Sequence, residues 1–130
     1  MSKYLIDTNI FVDLLRDNLD IQNFSVKGDL ATCSITLCEL YYGAEKTSKP
    51  SSSIEGIESL TKDLNLRILD FDENTSKIFA KIKIELEKIG QRLEDFDLMI
   101  AATAIQNDMV LVTNNLKHFK RIKGLKIWTQ

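Results

Sequence analysis

The sequence is poor in residues that interrupt a chain. It holds one proline and five glycines among 130 residues, with no Ser/Gly-rich run to act as a linker. A domain boundary has no place to fall, and the length suits a single domain over residues 1–130. Long apolar runs are also missing; none approaches the ~20 residues of a membrane-spanning helix. Met1, Ser2 and Lys3 lead directly into a short apolar run, without the regions of a secretory leader. Only two cysteines are present, Cys33 and Cys38, both in apolar segments. They read as buried thiols of a reduced, cytoplasmic protein. With one histidine, His118, no Cys/His cluster forms a zinc motif.

What is present is a balance of 44% apolar and 28% charged residues, enough for a core without staples. The net charge of −2 speaks weakly against nucleic acid as a partner, but it hides an uneven distribution. Residues 114–130 contain no acid and carry Lys117, Lys120, Arg121, Lys123 and Lys126. Such a stretch either holds phosphates or is simply a solvated face. The polar run 47–53, with the only proline, reads as a surface loop.

Apolar spacing predicts short strands at 4–6, 31–35, 67–69 and 109–113, with a last one at 126–128. Between them it predicts helices at 10–16, 36–46 and 54–64. A long helix follows, with Ile78, Phe79, Ile82, Leu86 and Ile89 as its stripe and Gly90 as its cap. An alanine-rich helix is predicted at 97–107, its small residues suited to close packing on the sheet. Strands and helices alternate, and the strands are apolar on both faces. The pattern implies a three-layer α/β/α sandwich around a parallel sheet.

In such a fold the carboxyl ends of the strands face one crevice, where ligands bind. Asp7 ends the first strand, Glu39 lies one turn beyond the second, and Asp97 starts the alanine-rich helix. Three carboxylates converging there repel unless a cation lies between them. Hard oxygen ligands select Mg2+, or Mn2+. Each acid also has a local explanation. Asp7 and Asp97 are well placed to cap the helices that follow them. Thr36 and Glu39 fit a capping box, with Thr36 at the N-cap.

Four segments carry a further signal. Asp7-Thr8-Asn9-Ile10, then Ser34 to Leu40 with Gly43, then Asp97 to Ala104, then Leu111 to Asn115 with Phe119, resemble in order the motifs of PIN-domain nucleases. Within that family the compact length is most similar to VapC, the toxin of toxin–antitoxin pairs. The resemblance implies a Mg2+-dependent endoribonuclease with Asp7, Glu39 and Asp97 as catalytic and metal-binding acids. It implies an RNA substrate, with tRNA as the first guess, an antitoxin partner and a homodimer. Thr8, Asn9, Thr113, Asn115, Lys117 and Lys120 become candidates for holding the RNA. The chain departs from the pattern at His118, where many relatives place a fourth acid. A rival reading is a non-catalytic RNA- or protein-binding module on the same fold. A phosphatase or phospho-accepting receiver is disfavoured, since there is no Gly-rich phosphate loop and no lysine directly after strand 109–113.

Overall fold

Among the described residues five strands, all parallel, form one sheet in the order β3 (Arg67–Leu69), β2 (Asp29–Cys33), β1 (Lys3–Ile6), β4 (Val110–Val112), β5 (Lys126–Trp128). The structure, a computed structural model, describes residues 3–16 and 28–129. Met1 and Ser2, read above as leading into the first strand, lie outside the described residues, as does Gln130. Along the chain come β1 (Lys3–Ile6), α1 (Thr8–Leu15), β2 (Asp29–Cys33), α2 (Ser34–Glu45), α3 (Pro50–Asp63) and β3 (Arg67–Leu69). Then follow α4 (Glu73–Lys88), α5 (Asp95–Gln106), β4 (Val110–Val112), α6 (Leu116–Phe119) and β5 (Lys126–Trp128). Among the described residues no helix is long and apolar enough to cross a membrane.

Alternation along the strands divides the core in two. Leu5, Ala31 and Leu111 are paired neighbours in the sheet. They face one cluster, with Ile82 and Leu86 of α4 and Leu98, Ala101 and Ala102 of α5. Ile6 and Val112, also paired, face the other, with Ile10 and Leu14 of α1, Leu40 of α2 and Ile57 of α3. Parallel strands require crossover helices, and these helices cover both faces, as the sandwich reading expects.

The chain starts at the central strand, builds outward through β2 and β3, then returns to the other side of β1 as β4. The winding reverses between β1 and β4. Their carboxyl ends therefore flank the open crevice of the sheet, and the residues just beyond them, Asp7 and Thr113, face each other there.

Helix starts differ from expectation in four places, one of them α5, which begins at Asp95 rather than Asp97. α1 begins at Thr8, because Asp7 caps it: its Oδ1 accepts from the Ile10 amide at 3.0 Å. α2 begins at Ser34 rather than Thr36, with Cys33 at its N-cap and no side-chain cap. The capping box thus does not form, and Thr36 is a buried residue inside the first turn. α3 begins at Pro50, so the second half of the expected loop 47–53 is its first turn. Proline at N1 lacks only an N–H that would have had no helical partner.

Three helices stop in the same way. After α3, α4 and α5, a residue in the left-handed region closes two reversed bonds: Asn65 (φ 50°), Gly90 (φ 68°) and Asp108 (φ 51°). For α4 the Gly90 amide donates to the Glu87 carbonyl at 3.2 Å, and the Gln91 amide to that of Leu86 at 2.9 Å. A Cβ at Gly90 would touch nothing within 4 Å, so the demand there is conformational only. Gly56, inside α3, has equally open surroundings. Gly90→Ala should therefore cost about 1 kcal/mol, and Gly56→Ala should gain about 0.5–1 kcal/mol. Urea unfolding of the two variants checks the opposite signs.

Candidate functional site

Asp7 is the centre of the crevice. It is only 3% exposed, and both carboxylate oxygens are engaged. Oδ1 takes the Ile10 amide and Oδ2 takes the hydroxyl of Thr113. Burial pushes its carboxyl above the ordinary range, and the negative charge of Asp97 pushes the same way. The Thr113 hydroxyl and the Ile10 and Asn9 amides oppose the rise.

Asp97 stands in the first turn of α5, two residues after the helix begins. The N-cap is Glu94, so Asp97 is not needed as a cap. Asp95, the first residue of the helix, pairs with Lys83 at 2.8 Å. Burial raises the Asp97 carboxyl first, and Glu39 and then Glu94 raise it further; His118 lowers it. Asp7, Asp97 and Glu39 are thus electrically linked through Asp97.

Glu39 is held from the side. The Thr8 hydroxyl donates to its Oε1 at 2.6 Å, spanning from α1 to α2. The same hydroxyl lies 3.3 Å from that of the buried Thr36. The alternative duty for Glu39, an N-terminal cap, is absent because the helix starts earlier.

The three acids therefore meet at one edge of the sheet, but not as a closed cage. Among the described residues no three His, Cys, Asp or Glu side chains stand together as a ready metal-binding group. Within the cluster Asp7 and Asp97 are coupled to each other, and Glu39, coupled to Asp97, is hydrogen-bonded to Thr8. None of the three joins an ion pair among the described residues; those found are Lys77–Glu73, Lys83–Asp95 and Lys126–Asp108. The cluster thus has no ion-pair partner among the described residues, which suits a hard cation.

The other candidates separate. Thr113, expected to meet phosphate, is wholly buried and spends its hydroxyl on Asp7. It shapes the acid rather than facing solvent. Asn115 donates its amide N–H to the Thr113 hydroxyl at 2.9 Å, and its side chain reaches His118. Asn9 is exposed at the start of α1, while Lys117 and Lys120 are exposed on and just after α6. One residue of the basic tail stands apart from the rest. Lys126 begins β5 at the opposite edge of the sheet and pairs with Asp108 at 3.0 Å. Cys33 is buried as expected; Cys38 is exposed, and both thiols are free. Thr36 and Glu94 were not among the expected site residues. Only the position of Thr36 inside the second motif pointed to it.

Residues 4–125 match the PIN domain family. The chain is 40% identical to ribonuclease VapC2 of Haemophilus influenzae, covering 97% of this chain and 96% of that one. It is 33% identical to the tRNA(fMet)-specific endonuclease VapC of Shigella flexneri, again over 97% and 96%. Among solved structures, VapBC2 of Rickettsia felis, bound to a DNA fragment from its promoter, superposes with a TM-score of 0.89. There the identity is 31%, with 98% of each chain covered. Fold, motif order and near-complete coverage agree: the chain belongs to the PIN domain family and, within it, to the VapC ribonucleases.

Proposed function

We propose that this chain is a Mg2+-dependent endoribonuclease, acting as the toxin of a toxin–antitoxin pair. The observation that carries the reading is the unneutralised acid cluster at the switch point of the sheet. Asp7 and Asp97 are both pushed toward protonation by burial and by acidic neighbours. Their oxygens suit Mg2+ or Mn2+, and they are the residues that would hold it. Bound there, the ion would lower the pKa of a water and offset charge on the scissile phosphate.

The remaining work falls to the chain itself. Thr113 and the Ile10 amide fix the direction of the Asp7 carboxylate. Glu39, anchored by Thr8, orients the attacking water and takes its proton. The water oxygen bonds to phosphorus as the bond to the 3′-oxygen breaks, and that oxygen takes a proton from solvent water, leaving a 5′-phosphate and a 3′-hydroxyl. Asn9, Lys117 and Lys120 are free to meet the flanking backbone.

The relatives' names support RNA as the substrate, and the Shigella relative makes tRNA the first to try. VapBC complexes among the similar structures support an antitoxin as the partner. The isolated chain should run as a homodimer; a monomeric mass by size-exclusion light scattering at micromolar concentration would overturn that part.

Purified protein should cut a labelled tRNA pool into discrete fragments with Mg2+ and not in EDTA. Asp97→Asn should lower the rate at least ~10³-fold while staying folded, since it removes a metal donor. Cleavage that survives in Asp97→Asn would contradict the assignment. Intact RNA from a folded parent across tRNA, rRNA and mRNA would favour the non-catalytic module.

Stability should carry the mark of the same charge. Burial raises the folded Asp7 carboxyl above its ordinary value near ~4. The folded chain then holds a proton that the unfolded chain releases, so this group's contribution falls as pH rises from ~4 through the folded value. Asn at position 7 keeps a cap acceptor and has no charge to bury. In EDTA, Asp7→Asn should melt at or above the parent, by a margin that grows from pH 4 to pH 7. Mg2+ should narrow the margin by stabilising the parent alone. A margin independent of pH in scanning calorimetry would count against the buried charge.

A further inference from the structure

The histidine of this chain, His118, is not the lone exposed imidazole that a basic tail suggests. It is half-buried in α6, with Nδ1 at 2.9 Å from the side-chain nitrogen of Asn115. An amide nitrogen can only donate, so Nδ1 accepts and the ring proton sits on Nε2. The ring is tied to the acid site by a continuous series of bonds. The Asp7 carboxylate accepts from the Thr113 hydroxyl, which accepts from the Asn115 amide; the Asn115 side chain then fixes His118.

The ring also lies within electrostatic reach of Asp97. His118 is the one group that acts on Asp97 opposite in sign to Glu39 and Glu94. Yet it forms no ion pair with Asp97, and among the described residues Asn115 is the ring's one hydrogen-bond partner. A locked imidazole thus presents an unspent N–H beside a cluster of acceptors that it does not touch. A third party that is anionic, and drawn to the same cluster, would complete the arrangement. A phosphate group meets both conditions once the acids hold a cation.

We infer that His118 is a substrate-binding residue, whose Nε2–H donates to a non-bridging oxygen of an RNA phosphate beside Asp97, with Asn115 as its positioning residue. The inference rests on the nuclease reading and adds to it a donor for the phosphate group. A donor to a charged phosphate is neutral or cationic, so an imidazole here serves a different end from a carboxylate. It grips substrate rather than adding a further metal donor.

The test is steady-state cleavage, with Mg2+, of the tRNA species that the parent cuts, using three variants. His118→Phe keeps a ring and removes the donor. His118→Gln restores an N–H near the place of Nε2. Asn115→Ala frees the ring. His118→Phe should raise KM about 10- to 100-fold, the usual weight of a hydrogen bond to a charged group, with kcat within a few fold. His118→Gln should recover most of the loss, and Asn115→Ala should fall between parent and His118→Phe. Mg2+ affinity of the RNA-free protein, read by calorimetry, should stay within twofold in all three. A KM for His118→Phe within twofold of the parent overturns the inference. So does a Gln variant as impaired as Phe, or a fall in Mg2+ affinity that accounts for the loss. A parent that cuts no RNA defeats the nuclease reading itself, an outcome distinct from each of these.

Discussion

One buried carboxylate joins the three parts of the molecule that meet at its working edge. Asp7 leaves the central strand with its amide donating to the Val112 carbonyl at 3.0 Å, which extends the β1–β4 ladder by a residue. Its Oδ1 then starts α1, and its Oδ2 receives Thr113 from the end of β4. Strand, helix and neighbouring strand are thus fixed to one another through a group that costs free energy to keep charged there. The helix cap and the polar neighbours offset part of that cost. The rest persists because the carboxylate is buried, and the nearby charge of Asp97 adds to it.

The cap and metal readings of the acids, weighed as rivals in the sequence, are not exclusive. Asp7 is a cap and a site acid together, one oxygen serving the helix and the whole carboxylate shaping the crevice. Glu39 and Asp97 lack cap duties altogether, since α2 and α5 each begin earlier than the apolar spacing indicated. Helix starts are poorly marked by hydrophobic period, because the first turn is partly polar and its partners lie outside the helix. Pro50 was a legible marker of α3 and was outweighed by the polar residues around it.

The sheet was the most legible part. Short, doubly apolar strands such as residues 109–113 leave little choice but burial between two helical layers. The stop of α4 at Gly90 was equally plain, whereas the stops at Asn65 and Asp108 use residues with weaker signals. Side-chain partnerships were the least legible. Nothing in the spacing shows that Thr113 gives its hydroxyl to Asp7, or that Thr8 reaches across 31 positions to Glu39. Cys38 illustrates the same limit: an apolar neighbourhood in sequence is compatible with an exposed position on a helix.

These hydrogen bonds give the site its division of labour. Hydroxyls of Thr8 and Thr113 aim the acids, while Asn9, Lys117 and Lys120 are exposed to solvent. Two acids held near each other without an ion-pair partner must either hold a proton or share a cation, and the proposed function takes the cation. Calorimetric titration of Mg2+ into the RNA-free protein tests this claim most directly, with Asp7→Asn and Asp97→Asn beside the parent. The expected result is one site in the parent, proton uptake by the buffer on binding at mildly acid pH, and loss of the site in either variant. Equal Mg2+ affinity in all three proteins would contradict it.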